Sequence, residues 1–573
     1  MRTRAGIWVR HDQTFVRFEG RDVASWLQTQ TSNDVIALRP GSGHASTLLD
    51  RKGRLQAHFT LHRWEDEYWM LIEKQQAPHL LEQLDAHLFL EDVHMEDAGD
   101  SLEQVVIQGP KSMTILASLL DTEEGTASVY LPRGRYECHP LEVLGCQVLV
   151  FYLSLAGEDG YVLVTQSGEA DELAARILEW GRGFGLLEIV GDAREILRIE
   201  AGIPRFGLDM DTTNRMPETT LERDGVSYDK GCYLGQEVVA KLRAYSSVKV
   251  ALCGLIFPPD LSAYPEANAP VMASGQTAGT IKSGTYSPTL NAWICLAYLD
   301  RDHRTPGSTL TFTTSPESAS FQAEVAVLPF YAAPSREERA AALYEQALAR
   351  FEIDELDEDT AAIELLKEAV LLHPQFEDAY EALGVILHRH HRVDEAIHYM
   401  KILEQLNPDC VMAHTNLSVF YVSKGMIEEA EEEKAKAAVA QMRLARDSQR
   451  AEAMAAEERE RIRREARERM EMFREVLEID PDDPLATFGM GMAHMQVDEY
   501  ENALPYLRRA TEVQKDYSVA FLNLGKCLEF LNRIEDAADA YRSGIAAAGR
   551  KGDLVPLREM ERRLKSLGGV PTR

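Results

Sequence analysis

Residues 226–243 hold the side chains with the clearest chemical content, in the order VSYDKGCYLGQEVVAKLR. An amine (Lys230), a thiol (Cys232), an amide (Gln236) and a carboxylate (Glu237) lie within eight residues that also include two glycines. A lysine close to a thiol lowers the pKa of the thiol, and the thiolate is the reactive form. The sequence therefore predicts Cys232 as a reactive group that Lys230 activates.

Backbone requirements explain other positions of this stretch. Gly231 and Gly235 indicate tight turns or close approach of the chain to a ligand, because glycine reaches left-handed backbone conformations without strain. Gln236 and Glu237, just before Val238, are typical of the entry of a short helix whose free amides attract an anion. The alternative interpretation is a turn that packs around a small buried thiol.

The segment KGCYLGQE, residues 230–237, resembles the signature of the YgfZ-type proteins. These are folate-binding relatives of the glycine cleavage T-protein, in the aminomethyltransferase superfamily, and they support the maturation of iron-sulfur enzymes. The resemblance implies catalytic roles for Cys232 and Lys230, and folate contacts for Gln236, Glu237 and Lys241. The family carries an arginine where this chain has Lys241, and lysine lacks the planar fork that grips a carboxylate.

Two further segments resemble the folate-binding domain of the T-protein family. Ser32-Asn33-Asp34 matches a loop of that family, and residues 198–202 (RIEAG) match a segment whose glutamate holds the pterin ring. The resemblance implies that Asn33 and Glu200 contact the folate. A carboxylate suits this role because it accepts two parallel N–H bonds from the 2-amino-4-oxo edge. The alternative is that Glu200 pairs with Arg198 or Arg194 on a surface helix.

One expected group is missing. The T-protein places an aspartate pair on the strand after a glycine-containing turn, and one carboxylate acts there as the general base. The matching positions of this chain are Ala57 and His58. Alanine takes no proton, so the sequence argues against aminomethyl transfer by the family's own route. If the chain is nevertheless an enzyme, the base has moved, with His58 and Glu218 as candidates.

Composition limits the class of protein. A net charge of −32 and a pI near 5.0 disfavour binding to nucleic acid or to an anionic membrane, since both need cationic surface. The seven cysteines contain no Cys-x-x-Cys pair, which is typical of a reducing compartment and argues against a permanent four-thiolate metal site. Without a signal segment or a run of about 20 apolar residues, the expected location is the cytoplasm.

The elements that position these groups follow from hydrophobic periodicity. Strands and helices alternate irregularly over residues 5–245, which predicts an α+β domain with largely antiparallel sheets. Short strands punctuated by glycine and proline follow over residues 246–333 and predict a small antiparallel β-barrel. This order, sheet domain followed by barrel, is also that of the T-protein family.

Residues 334–573 are rich in Ala, Glu, Leu and Arg, and they repeat at 34-residue intervals. Ala379 and Ala413, Gly491 and Gly525 are examples of this spacing. The period resembles the tetratricopeptide repeat (TPR), so we expect an all-α solenoid that docks a protein partner. An insertion of helix-forming, charged residues at about 430–475 predicts one extended helix with a solvated surface.

Taken together, the sequence predicts a tetrahydrofolate-binding accessory factor for the assembly or repair of iron-sulfur enzymes. The cofactor is tetrahydrofolate or a one-carbon derivative, and a transient iron-sulfur cluster at Cys232 is a further possibility. The partners are folate, iron-sulfur assembly or client proteins, and a ligand of the TPR groove. The alternative function is a folate-dependent one-carbon transferase or demethylase.

Overall fold

The structure is a computed structural model of the full chain. It describes residues 1–120, 130–244, 248–259, 261, 264–314, 320–351, 356–551 and 553–567.

The first 244 residues form an α+β region. Its described strands and helices follow one another in this order: β1 (Ala5–Arg10), β2 (Gln13–Glu19), α1 (Val23–Gln30), β3 (Ser42–Leu49), β4 (Leu55–Trp64), β5 (Glu67–Glu73), α2 (Ala77–Asp85), β6 (His94–Asp97), β7 (Leu102–Gln108), α3 (Ser112–Ser118), β8 (Cys138–Val143), β9 (Cys146–Tyr152), β10 (Gly160–Gln166), α4 (Ala170–Gly181), β11 (Leu186–Glu188), α5 (Ala193–Glu200), α6 (Glu222–Gly225) and α7 (Gln236–Ala244).

These strands make two sheets. One has the order β3-β4-β5-β2-β6 and is antiparallel throughout. The other has the order β11-β1-β7-β10-β9-β8, and only its β1–β11 pair is parallel among the described strands. The predicted α+β architecture with largely antiparallel sheets is confirmed.

Strand β4 shows how the sequence decides which side chains enter the core. Leu55, Ala57, Phe59 and Leu61 are buried at alternate positions. The last three belong to a hydrophobic cluster that also contains residues of α1 and α2, such as Trp26 and Leu80. Because side chains of a strand alternate between its two faces, the intervening residues of β4 point away from this core.

Two glycines allow the KGCYLGQE segment to pack against the β3–β4 turn. Gly53 and Gly235 both have positive φ, at +68° and +82°. A Cβ atom on Gly235 would lie 2.6 Å from the carbonyl oxygen of Asp50, a distance that side chains do not reach. The predicted close approach at Gly235 is therefore a contact between two backbone turns, whereas a Cβ on Gly231 would meet open space.

The barrel follows with six described strands: β12 (Val250–Ile256), β13 (Pro270–Ala273), β14 (Gln276–Ser287), β15 (Ala292–Asp300), β16 (Thr309–Phe312) and β17 (Phe321–Ala326). They pair in the order β13-β14-β15-β12-β17-β16, and a bridge between Met272 and Thr313 brings the two ends together. The predicted small antiparallel barrel is confirmed, nearly closed, with an apolar interior.

The remaining described elements are helices: α8 (Arg336–Phe351), α9 (Leu356–Leu372), α10 (Glu377–Arg389), α11 (Val393–Leu406), α12 (Val411–Ser423), α13 (Ile427–Ile479), α14 (Pro484–Gln496), α15 (Tyr500–Val513), α16 (Ser518–Phe530), α17 (Ile534–Lys551) and α18 (Leu554–Leu567).

Small residues close the helix pairs of this region, as a TPR requires. A Cβ atom on Gly525 of α16 would lie 2.2 Å from the ring of Tyr541 on α17, and one on Gly491 of α14 would lie 2.7 Å from Leu507 on α15. Only glycine lets each pair of helices approach this closely. The predicted all-α region with TPR repeats is confirmed.

Helix α13 contains the predicted insertion. It is continuous over 53 residues and is therefore about 80 Å long. Exposed pairs three or four residues apart, such as Glu458–Arg461 and Arg461–Glu465, line its surface. Such pairs stabilise an isolated helix by only about 0.2–0.5 kcal/mol each, so this helix depends on many of them.

The chain divides into two compact units. One comprises residues 1–408 and 419–427, and the other comprises residues 409–418 and 428–573. The first unit thus contains the sheet domain, the barrel and helices α8–α11. None of the helices in the described residues is both long and apolar enough to cross a membrane.

A buried ion-pair cluster attaches helix α8 to the sheet domain. Arg336 Nε donates to Asp159 Oδ1 at 3.1 Å, and Arg339 donates to the other oxygen of the same carboxylate. The hydroxyl of Tyr152 donates to Asp159 as well. Burial would raise the pKa of Asp159, but the two guanidinium groups hold it below the usual value. The cluster therefore holds one carboxylate between two cations in a site with little solvent.

A second set of contacts attaches helix α9. The guanidinium of Arg133 donates to the carbonyl oxygens of Leu371 and Leu372, at 2.9 and 2.7 Å. Glu368 accepts from Lys111 and, at 3.2 Å, from the hydroxyl of Thr114. Helices α8 and α9 are thus held to the sheet domain by polar groups from three separate segments, which contain Lys111 and Thr114, Arg133, and Asp159.

An Asp159→Asn substitution is expected to destabilise the first unit by about 3–5 kcal/mol, because it leaves two buried arginines without their counter-charge. Thermal unfolding of the full chain measures this effect. Asp171→Asn, at an exposed carboxylate of α4, is the matched control. Equal unfolding temperatures for the two variants would show that the cluster contributes no stability.

Candidate functional site

A cavity of about 870 Å³ lies among the two sheets, helix α5 and the segment that follows the barrel. Leu71, Leu153, Leu155, Phe206 and Leu328 supply much of its apolar wall. Its acidic, basic and amide lining side chains are Arg10, His11, Asp12, Gln13, His58, Glu73, Gln76, Arg135, Asp192, Arg194, Glu195, Arg198, Arg205, Arg223 and Asp224. A volume in this range, with polar groups set in an apolar wall, is typical of small-molecule sites.

The alternation of side chains along β4 decides which of them face the cavity. His58 lines the cavity, whereas Ala57 is fully buried in the core on the opposite face. Burial lowers the pKa of His58 to about 4, so the imidazole is neutral near pH 7. This strand therefore contributes no carboxylate, in agreement with the sequence prediction.

Three polar atoms on this wall lack a hydrogen-bond partner among the described residues. They are Nη1 of Arg10, Oε1 of Gln13 and Nε2 of Gln76, and all three are buried. A buried polar atom without a partner costs about 1–3 kcal/mol. Two donors and one acceptor, all on side chains that line the same cavity, indicate that its polar wall is completed by water or by a ligand.

Two carboxylates of this wall differ in their electrostatics. Burial would raise the pKa of Asp12, but Arg10, whose Nε donates to it at 2.9 Å, holds it below the usual value. Burial raises the pKa of Glu73, with Arg10 opposing and Asp12 reinforcing the shift. Two neighbouring acids with pKa values displaced in opposite directions are typical of acid–base sites.

Asn33 positions residues of the cavity wall and does not line the cavity. Its Nδ2 donates to the carbonyl oxygens of Ala45, at 2.8 Å, and Asp224, at 3.0 Å, and both of these residues line the cavity. The carboxylate of Asp224 in turn pairs with Arg135, another lining residue, at 2.6 Å. The folate contact predicted for Asn33 stays a prediction, and its observed contacts are structural.

Glu200 is buried behind the cavity wall, and its carboxylate is already engaged. It accepts from Nε and Nη2 of Arg2, at 3.0 and 2.7 Å, and from the hydroxyl of Ser287 at 2.6 Å. Arg2 also donates to the carbonyl oxygen of Ala156 at 2.7 Å and stacks on Tyr331. Glu200 is absent from the cavity lining, so the predicted pterin contact would require Arg2 to move.

Neither arginine considered as an alternative partner of Glu200 contacts its carboxylate among the described residues. Arg198 pairs with Asp209 at 2.6 Å and with Glu195, while Arg194 lines the cavity. Sequence reasoning missed Arg2 because it lies 198 residues before Glu200.

Lys230 is buried and anchors a loop. Its Nζ donates to the carbonyl oxygens of Thr31, at 2.6 Å, and Asn33, at 2.8 Å. Burial lowers the pKa of Lys230 to about 8, and Asp34 opposes this shift. The amine thus fixes the loop that contains Asn33, a role that the sequence did not reveal.

Cys232 is exposed at the surface, two residues from this anchor. Gln236 is half-buried and Glu237 is exposed, and Glu237 pairs with Lys241 at 2.5 Å along the surface of α7. Like Lys230, these four residues are not among the groups that line the cavity. Their predicted catalytic and folate-binding roles stay predictions, and the structure places them on a separate surface of the sheet domain.

Glu218, one candidate for a displaced base, caps a short helical turn. Its carboxylate accepts from the backbone N–H of Arg215 at 2.9 Å and lies outside the cavity lining. The cavity acids that sequence reasoning missed are Asp12, Glu73, Asp192, Glu195 and Asp224. No local sequence signal marks Glu73.

His62 supports the cavity wall from behind. Its Nδ1 donates to the carbonyl oxygen of Tyr136, a lining residue, at 3.0 Å. Because a carbonyl only accepts, Nδ1 carries the proton, and Nε2 accepts from the hydroxyl of Thr60 at 2.8 Å. Burial lowers the pKa of His62 to about 3, so the ring stays neutral over the physiological range.

Comparison with known families matches three parts of the chain. Residues 1–229 match the GCVT N-terminal domain, and residues 251–332 match the glycine cleavage T-protein C-terminal barrel domain. Residues 360–409 and 488–551 match the tetratricopeptide repeat.

Among characterised proteins, the chain is similar to an aminomethyltransferase of Streptomyces coelicolor. The two are 27% identical over 334 residues, which is 58% of this chain and 87% of the relative. An aminomethyltransferase of Bacillus subtilis is 26% identical over 333 residues, which is 58% of this chain and 89% of that protein.

A solved structure supports the same fold. The crystal structure of the glycine cleavage system aminomethyltransferase T from Bartonella henselae superposes with a TM-score of 0.50 at 18% identity. The match covers 58% of this chain and 88% of that one.

The free energy of unfolding is expected to decrease as the pH is lowered, because of His62. The unfolded histidine binds a proton below about pH 6.5, whereas the folded ring does so only near pH 3. The contribution of the neutral His62 ring to the free energy of unfolding is therefore present above pH 6.5. About 2 kcal/mol of this contribution is lost between pH 7 and pH 5. Denaturant unfolding of the wild type at both pH values measures this loss. The His62→Asn variant should not show it. The same pH dependence in both proteins would contradict the assignment.

Proposed function

We propose that the chain is a member of the folate-dependent aminomethyltransferase-like superfamily with an additional TPR region, and that it is a tetrahydrofolate-binding accessory factor for iron-sulfur enzymes. The family binds tetrahydrofolate. The observation that carries the proposal is the cavity wall with three buried polar atoms that lack partners among the described residues.

The chemistry of these groups fits a reduced pterin. Its 2-amino-4-oxo edge offers two N–H donors and a carbonyl acceptor. Glu73 is an acceptor for the donors, and Nε2 of Gln76 is a free donor for the carbonyl. Oε1 of Gln13 is a further acceptor for a ring N–H. The pairings at Gln13 and Gln76 satisfy buried atoms that lack a partner among the described residues, which favours binding.

The remainder of folate also finds suitable groups. The benzoyl ring is apolar, and Leu71, Leu155 and Leu328 line the cavity. The glutamyl tail carries carboxylates, and the partly exposed Arg135 and Arg223 lie on the wall with Tyr136 and Thr220. Guanidinium groups bind carboxylates in a planar, often bidentate geometry. The lining therefore offers buried amides and acids together with exposed cations.

The iron-sulfur role rests on the resemblance of the KGCYLGQE segment and on the exposure of Cys232. An accessible thiol on a loop that Lys230 anchors by two hydrogen bonds is suited to a transient sulfur or iron transfer with another protein. This segment does not hold a permanent cluster by itself, because Cys232 is its one cysteine. We therefore place the transient cluster, where it forms, between Cys232 and a partner.

The TPR region supplies the docking surface in this proposal. Helix pairs of this type present concave surfaces that bind protein segments. Helices α8–α11 belong to the same compact unit as the cavity, so a client bound there would be held at a fixed position relative to the sheet domain.

Gln76→Leu is expected to weaken tetrahydrofolate binding about tenfold, because it removes one buried hydrogen-bond donor from the wall. Isothermal calorimetry of the full chain under anaerobic conditions measures the affinity. Gln83→Leu, on the helix that begins just after Gln76 but outside the lining, is the matched control. Equal affinities for the two variants would remove Gln76 from the site, and absence of binding by the wild type would refute folate binding.

Cys232→Ser is expected to lower the activity of iron-sulfur enzymes in cells that lack the native protein, because serine neither ligates iron nor exchanges sulfur as a thiolate does. Enzyme activities after complementation by wild type and variant measure the difference. Cys253→Ser, a half-buried barrel cysteine, is the control. Full rescue by Cys232→Ser would reduce this thiol to a surface side chain.

A further inference from the structure

A second cavity, of about 400 Å³, lies where helix α8 meets the sheet domain. The sheet domain supplies Tyr152 and Asp159 to its lining, and the chain around the start of α8 supplies Ala333, Arg336 and Arg339. Both arginines lie beyond residue 332, where the match to the T-protein barrel domain ends. A volume in this range accommodates a small molecule. The second cavity therefore depends on residues that the two matched T-protein domains do not provide.

Two arginines that line the second cavity keep hydrogen-bond donors without a partner among the described residues. These donors are Nη2 of Arg336 and Nε of Arg339, and both atoms are buried. The other nitrogens of each guanidinium are engaged, because both groups donate to Asp159. Arg336 also donates to the carbonyl oxygen of Arg133 at 3.0 Å, and Arg339 to that of Pro110 at 2.8 Å. A buried donor is costly to leave unpaired, so each free nitrogen requires an acceptor.

Positive charge is in excess around these two donors. Among the described residues, Asp159 is the one carboxylate within ion-pair distance of Arg336 and Arg339. Arg133, whose guanidinium donates to backbone carbonyl oxygens of α9, has no carboxylate at that distance in the described part of the chain. Burial lowers the pKa of Arg133, and the neighbouring Arg336 guanidinium adds to this shift. Three cations thus share one carboxylate.

The remaining charged groups of the lining do not offset this excess. Glu158 pairs with Arg2 at 3.4 Å, and Arg135 pairs with Asp224 at 2.6 Å. Glu337 also lines the second cavity, but it is exposed to solvent. Water satisfies a free N–H donor, whereas an anion also offsets the excess of positive charge.

We propose that the second cavity binds a small organic anion, whose phosphate or carboxylate group accepts from Nη2 of Arg336 and Nε of Arg339. Guanidinium groups suit both kinds of anion because their N–H donors form a planar fork. The volume leaves room for the rest of the molecule beside Tyr152, on whose ring Arg336 stacks at 4.5 Å. Binding connects α8 to the sheet domain more firmly, since the anion and Asp159 hold the same two arginines.

This site is separate from the proposed folate site and does not require folate to bind. Gln13, Glu73 and Gln76, the groups assigned to the pterin, are absent from the lining of the second cavity. The start of the helical region thus has a small-molecule site of its own, built on arginines of α8.

Calorimetry of the full chain with inorganic phosphate, and separately with glutarate, tests the site at an ionic strength fixed with chloride. The wild type should bind at least one probe, and the tighter one identifies the anionic group. Arg339→Lys keeps a cation beside Asp159 but has no Nε donor, so its affinity should fall about tenfold. Arg182→Lys, at an exposed arginine outside both linings, should bind as the wild type does. Binding of neither probe, or an unchanged affinity in Arg339→Lys, would overturn the proposal.

A variant that fills the second cavity without touching the arginines provides a second test. Ala333→Trp should abolish binding of the probe, whereas Ala332→Trp, at the exposed neighbour outside the lining, should retain it. The bound anion should also raise the unfolding temperature of the wild type but not that of Ala333→Trp. Equal affinities for the two variants would place the anion elsewhere and overturn the proposal. If the probe binds and tetrahydrofolate does not, the proposed function fails while this site stands.

Discussion

The organisation of the cavity depends on the pleat of one strand. Side chains of β4 alternate between the core that α1 and α2 cover and the cavity on the opposite face. A shift of one residue would place Ala57 in the cavity and His58 in the core, where its imidazole would lie among apolar side chains. The buried apolar positions of β4 fix the register, and the register in turn decides that the cavity receives a neutral histidine from β4 and a carboxylate from β5.

Much of the fold was predictable because it follows from local patterns. The strand and helix periodicities, the glycine-punctuated barrel and the 34-residue repeat each depend on residues close in sequence. The absence of a carboxylate on β4 was also visible, since it is a matter of residue identity at Ala57 and His58. Hydrophobic periodicity predicts a helix from Gln76 to Leu88, and the observed helix α2 ends earlier, at Asp85.

The contents of the site were less predictable because they depend on long-range pairing. Nothing local indicates that Arg2 occupies the carboxylate of Glu200, or that the amine of Lys230 is held by carbonyl oxygens of residues 31 and 33. Glu73 enters the site because of how β5 pairs with its two neighbouring strands. Glu73 lies opposite Gln13 of β2, and the preceding residue, Ile72, lies opposite Phe59 of β4. Only the assembled sheet reveals this pairing. The signature segment 230–237 therefore supports the wall by anchoring a loop, while the polar groups that line the cavity come from β1, β2, β4, β5 and α5 and from the loops beside them.

The central claim is that this polar wall is completed by a reduced folate. A crystal structure of the full chain grown with tetrahydrofolate under anaerobic conditions tests it most directly. The account predicts the pterin ring in the cavity, within hydrogen-bond distance of Gln76 Nε2 and the carboxylate of Glu73. A cavity that holds only water, or a pterin bound at Glu200 with Arg2 displaced, would contradict it.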